Sequence, residues 1–175
     1  MSPSHRQPAL SILKLLRRAS DQIIRPDVPF SDIGRALGPP TWWDFADNPS
    51  FSCLMDYQGN LQIALWSRGG RVEVRRIGLR LWHTPNGEPK AKTAKLSYGR
   101  RRLVRLDGFV PGASINDVKS LLDNAGMSYE ESSVQDASET VACLTVDRNS
   151  ELLFFMMDGR PSLAEIQCRS RYRGA

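Results

Sequence analysis

The stretch Cys143-Leu144-Thr145-Val146-Asp147-Arg148-Asn149-Ser150-Glu151-Leu152-Leu153-Phe154-Phe155-Met156-Met157 decides the fold. Two apolar runs flank a polar turn, Asp147-Arg148-Asn149-Ser150, which reads as an antiparallel strand pair over Val141 to Val146 and Glu151 to Met157. Asp158-Gly159-Arg160-Pro161 turns the chain again, and Leu163 to Cys168 makes a third strand. The same script runs earlier. Phe51 to Asp56 reads as a strand, Tyr57-Gln58-Gly59-Asn60 as a turn, and Leu61, Ile63 and Leu65 alternate with Gln62, Ala64 and Trp66. After Ser67-Arg68-Gly69-Gly70, Val72 and Val74 share one face, whereas Ile77, Leu79 and Leu81 fall on the opposite parity. A β-bulge near Arg75-Arg76 restores them to the core side.

A helix precedes each set of strands. Ser31 or Asp32 can cap a helix over Ile33 to Leu37, stopped by Gly38-Pro39-Pro40. Ser114 or Asn116 can cap one through Ile115, Val118, Leu121 and Leu122, closed near Gly126. Cys53-Leu54 aligns with Cys143-Leu144 and Leu61 with Leu152, while Asp32-Ile33 aligns with Asp117-Val118. The offset grows only in loops, where insertions cost little. A duplication is therefore expected, against the alternative that two small units share this order by coincidence. Ala9 to Ile24 carries Leu10, Ile12, Leu13, Leu15, Leu16, Ala19, Ile23 and Ile24 at helical spacing, ended by Pro26. This stripe reads as core-facing, with a basic membrane-surface helix as the alternative. The expected fold class is α+β. It has two tandem helix-plus-antiparallel-sheet units, 30–113 and 114–175, preceded by an N-terminal tail and helix, 1–29. Side by side, the two sheets would expose a broad concave face suited to a convex partner.

The composition is that of an ordinary globular chain: 175 residues, 41% hydrophobic and 25% charged. No apolar run approaches the roughly 20 residues of a spanning helix, and no small-residue cleavage site marks a secretory leader. The net charge of +5 is unevenly distributed. Residues 83–113 hold seven basic and two acidic side chains, and 114–168 hold three basic and ten acidic. Such asymmetry bears on partners and steering.

Chemistry-bearing motifs are sparse. A Ser/Cys–His–acid arrangement needs an oriented His, but His5 falls in the tail and His83 at a loop start. Cys53, Cys143 and Cys168 show no C-x-x-C spacing and read as small buried thiols, which fits a reducing cytoplasm. No phosphate-cradling glycine loop occurs. Glu130-Glu131 are adjacent and do not converge as an acid–base pair must. No catalytic residue, metal or cofactor is expected, and the chain is not expected to be an enzyme.

Two clusters suit binding. In the loop after Pro40, Trp42, Trp43 and Phe45 with Asp44 and Asp47 are aromatics set among acids, as in interface hot spots; a loop folded back to cover the core accounts for them equally. The matching loop in the second unit has Tyr129, Glu130, Glu131, Asp136 and Glu139, which points to a shared binding edge. The basic segment Lys90, Lys92, Lys95, Arg100, Arg101, Arg102 and Arg105 around Tyr98 is the nucleic-acid alternative. A solubilising loop beside a charged edge strand is the favoured account, because the adjacent acidic unit would repel a polyanion.

The string Asp56-Tyr57-Gln58-Gly59-Asn60-Leu61-Gln62, after Leu37-Gly38-Pro39-Pro40 and with Ile77 and Trp82 closing the unit, resembles small bacterial proteins with a "Leu-Gly-Pro-Pro … Tyr-Gly-x-Leu-Gln" half. These look like immunity proteins of polymorphic toxin systems. The tandem layout is also similar to the β-lactamase inhibitor protein. The chain departs from the pattern at Asp56-Tyr57-Gln58, where Gln58 replaces the usual acidic residue. The resemblance implies protein binding and inhibition, with no catalytic residues to carry over. The expected function is occlusion of a cognate toxin, as a monomer or a heterodimer with it, the acidic second unit steering onto a basic toxin surface and the first-loop aromatics plugging its cleft.

Overall fold

The alternating segments build one continuous sheet. In a computed structural model of the chain, the structure describes residues 10–45, 53–57, 60–68, 70–83, 92–93, 97–98, 101–102, 104–136 and 139–171. The chain begins with β1 (Leu10–Ser11), α1 (Ile12–Leu16) and α2 (Phe30–Leu37). It continues through β2 (Trp42–Asp44), β3 (Cys53–Tyr57), β4 (Leu61–Arg68) and β5 (Arg71–Arg80). Short pairs follow: β6 (Trp82–His83) with β7 (Lys92–Thr93), and β8 (Ser97–Tyr98) with β9 (Arg101–Arg102). Then come β10 (Val104–Arg105), α3 (Ile115–Asn124), β11 (Tyr129–Asp136), β12 (Glu139–Val146), β13 (Ser150–Met157) and β14 (Arg160–Arg169). The main sheet has eight strands in the order β11-β12-β13-β14-β5-β4-β3-β2, and every neighbouring pair in it is antiparallel.

This corrects the expected fold class. The molecule is mostly β, not a balanced α+β of helix-plus-sheet repeats. Its three described helices have only 5, 8 and 10 residues. The segments 30–113 and 114–175 each supply four strands to the same sheet, joined where Glu165 faces Arg80 and Cys168 faces Ile77. Helical spacing at Ala9 to Ile24 overcounted helix. Leu10–Ser11 is extended, paired in parallel with Val104–Arg105, and only Ile12–Leu16 is helical. Arg18 adopts a left-handed φ of 52°, which no helix interior tolerates. The stripe nevertheless faces the core: Leu10, Ile12, Leu15, Leu16 and Ile24 are buried. Ile23 is half exposed, and Gln22 is buried in its stead, accepting the Ser11 N–H.

Both long central strands bulge at their fifth residue. In β5, Ala64 faces Arg76 but Leu65 faces Val74, so Arg75 is the extra residue, where the parity switch required one. In β14, Leu153 faces Glu165 but Phe154 faces Leu163, leaving Ala164 unpaired. The bulges put Val74 and Ile77, and likewise Leu163 and Ile166, on one face. The hairpin between β13 and β14 turns on Asp158 and Gly159, both left-handed at φ 52° and 77°, as a two-residue type I′ loop requires.

One cross-strand row makes the packing plain. Leu144, Leu152, Ile166, Leu79, Leu61 and Tyr57 face one another in turn across six strands, each at most 2% exposed. They meet Ile12, Leu15 and Leu16 of α1, Ile33 and Leu37 of α2, and Val118 and Leu122 of α3 in one core. The helices therefore share one face of the sheet. Asp107 fastens the N-terminal segment to this layer, accepting from the Ser11 hydroxyl at 2.6 Å and the Leu13 N–H at 3.0 Å. Burial pushes its carboxyl up, but these two donors and Arg105 outweigh that and hold it below the usual carboxylate range.

Candidate partner-binding face

Residues one step along each strand from the buried row point to the other side of the sheet. There Glu130, Thr145, Glu151, Gln167, Gly78, Gln62, Asp56 and Trp42 form a second row across all eight strands. Seven of the eight are polar or glycine, which is what a solvent-facing side of an antiparallel sheet dictates. No helix of the described residues packs on this face. Gly78 and the buried Ala64 make its centre shallow, and a Cβ added to Gly78 would come within 3.2 Å of Glu165 Oε1. Around that centre Gln167 Nε2 donates to Glu165 at 3.0 Å and Arg169 pairs with Glu151 at 2.9 Å. The Arg75 guanidinium lies 5.3 Å from the Trp66 ring centroid.

The expected aromatic cluster stands at one edge. Trp42–Asp44 is an edge strand, not a loop, with Trp42 facing Asp56, Trp43 facing Met55 and Asp44 facing Leu54. Trp42 and Asp44 thus look onto the open face, while Trp43 shares the helix-side face of Met55. Trp42, Trp43 and Phe45 are 51%, 56% and 74% exposed. Beside them the helix-side layer leaves an apolar cleft of about 770 Å³ between the start of α2 and β3–β5, lined by Phe30, Phe45, Met55, Leu65 and Val72. Asp47 lies outside the described residues.

The acidic cluster stands at the opposite edge. Tyr129, Glu130 and Glu131 open β11, so the two clusters occupy equivalent first strands but are not brought together. Seven strand spacings separate them, roughly 33 Å. Glu131 forms an ion pair with Lys119, and the Tyr129 hydroxyl reaches Asp123 at 3.5 Å, so both serve the packing of α3. Only Glu130 of these three looks onto the open face. Asp136 and Glu139 face each other across the β11–β12 pair, and their side chains lie outside the description.

Of the basic segment, Lys90, Lys95 and Arg100 lie outside the described residues, and for Lys92, Tyr98, Arg101 and Arg102 the backbone alone is described. Arg105 is committed elsewhere, donating to Asp107 and, at 3.4 Å, to Ser11. His5 lies outside the description, as does the side chain of His83.

The three cysteines are buried free thiols. Burial raises Cys53, Cys143 and Cys168 above the usual thiol value, Cys168 to about 11, so at neutral pH they are protonated and poor nucleophiles. No cluster of metal-ligating side chains occurs among the described residues, and none of their helices is long and apolar enough to cross a membrane. Sequence reasoning missed the arginines Arg75, Arg76 and Arg80 on the open face; the only signal was the alternation of Arg with Ile77 and Leu79 in one strand. Comparison with family models, with curated proteins and with solved structures returned no match.

Proposed function

We propose that the chain is a protein-binding inhibitor that acts in the bacterial cytoplasm, an immunity protein that neutralises a cognate toxin by covering its active site. The observation that carries the reading is the exposure of Trp42, Trp43 and Phe45 on an edge strand. Three large exposed aromatics at one edge of the sheet, Trp42 toward the open face and Trp43 and Phe45 toward the helix side, mark an interaction site, and Trp is strongly enriched in hot spots. The uncovered sheet face beside them supports it by offering a broad, rigid platform. In this account the aromatics plug the toxin's cleft and the sheet face blocks approach to it.

Affinity capture from the native host, followed by co-expression, tests it. The captured protein should stop growth when produced alone, and the chain should restore it. Trp42→Ala with Trp43→Ala and Phe45→Ala should weaken capture about tenfold or more and abolish rescue. Capture of nuclease-sensitive material in place of a protein would reject the reading in favour of the basic segment 90–105 as a nucleic-acid adaptor.

A further inference from the structure

We propose that the centre of the open sheet face receives an acidic segment of the partner, whose carboxylates seat on Arg75, Arg76 and Arg80. The inference rests on the partner-binding reading above and specifies its chemistry. β5 runs through the middle of the sheet, and its bulge turns two consecutive side chains, Arg75 and Arg76, toward the open face, with Arg80 beyond Gly78 on the same side. None of the three forms an ion pair among the described residues, although Arg80 directly faces Glu165 across the β5–β14 pair. Arg76 directly faces Arg169 on β14. Like charges opposite one another on neighbouring strands repel. Glu151 neutralises Arg169, whereas nothing described neutralises Arg76. Arg75 lies against Trp66, and its Nη1 is buried without an acceptor. A buried donor left without a partner is costly in a finished structure, and a bound carboxylate would satisfy it.

The surroundings fit such a ligand. The planar fork of arginine matches a carboxylate with two parallel hydrogen bonds. A carboxylate segment of a protein is favoured over a phosphate backbone because the basic centre is small and fenced. Glu151, Glu165, Asp56 and Glu130 lie on the same face to either side. A nucleic acid carries a charge at every nucleotide and would run across these acids. A short acidic segment places its two or three charges on β5 alone.

Fluorescence anisotropy with a labelled ten-residue oligoglutamate on the full chain, at low salt, tests the proposal; ten-nucleotide oligouridylate serves as the competing ligand. Oligoglutamate should bind the wild-type chain, and oligouridylate should bind more weakly. Arg76→Ala with Arg80→Ala should weaken oligoglutamate binding about tenfold. Should that pair fail to fold, Arg80→Glu alone decides, with an equal or larger loss expected. Val110→Ala, at an exposed residue outside both clusters, should leave oligoglutamate binding unchanged. No binding of oligoglutamate, binding indifferent to the arginine variants, or tighter binding of oligouridylate overturns the proposal. Any of these with capture and rescue intact removes only this chemistry. Loss of capture and rescue with arginine-dependent oligoglutamate binding intact removes the inhibitor reading instead.

Discussion

Cys168 shows how far one buried side chain ties stability to pH. It is 1% exposed and sits in a core row between Ser150 and Ile77. Burial pushes its thiol up to about 11 from the usual 9.0. The folded chain therefore keeps a proton that the unfolded chain releases. That contribution to stability is fully present below about pH 9 and is lost as the pH rises toward 11. Urea unfolding between pH 8 and pH 11 should show a fall in midpoint for the wild type. Cys168→Ala should lower the midpoint at every pH but flatten the alkaline fall; a slope equal to the wild type would refute the assignment. Burial of the cysteines was legible because each lies in a strand-like stretch, where a small thiol packs as an apolar side chain.

The two bulges show which elements a sequence specifies and which it leaves open. In β5, Val72 and Val74 cannot share a face with Ile77 and Leu79 without an extra residue, so pattern alone located the irregularity, and Arg75 is that residue. Deleting Arg75 should leave Val74, Ile77 and Leu79 on the core face of an unbulged strand and preserve a cooperative unfolding transition. A deletion that loses its cooperative transition by circular dichroism would refute this register. The strands Val141 to Cys168 were equally legible, being apolar runs set off by turn residues. Edge strands were not. Tyr129 to Asp136 and Trp42 to Asp44 read as loops because an edge strand needs no apolar face; it is held by backbone hydrogen bonds to one neighbour. The helix over Ala9 to Ile24 was overread for a related reason. Its apolar spacing satisfies the core equally well as a strand pair, a short helix and an irregular return, and only the tertiary partners of Arg18 distinguish them. That side chain donates to the Arg169 carbonyl and pairs with Asp27 and Asp147.

At the scale of the whole molecule, the charge division seen along the chain does not survive folding as an uninterrupted acidic half. Lys119 covers Glu131, Arg18 and Arg171 cover Asp147, and Arg169 covers Glu151. Folding also brings the basic Arg75–Arg80 stretch to the middle of the sheet, between the acids it was separated from in sequence. A candidate site built this way was only partly readable: the aromatic residues were visible as a cluster, but the open face draws its residues from every strand. Glu130 is the exposed acid at this edge that has no ion-pair partner among the described residues, whereas Glu131 is paired with Lys119. Glu130→Lys should slow association with a basic-rimmed partner at low salt, with little effect near 1 M salt or on unfolding. An on-rate identical to the wild type at low salt would exclude that edge from the encounter.

The junction of β5 with β14 also sets a timetable. Arg80 must wait for Glu165, 85 positions later, before the midline of the molecule can close. At ribosomal speeds of 5–20 residues per second, that is roughly 4 to 17 s. Throughout that interval the nascent chain presents an unzipped seam, a natural foothold for a chaperone.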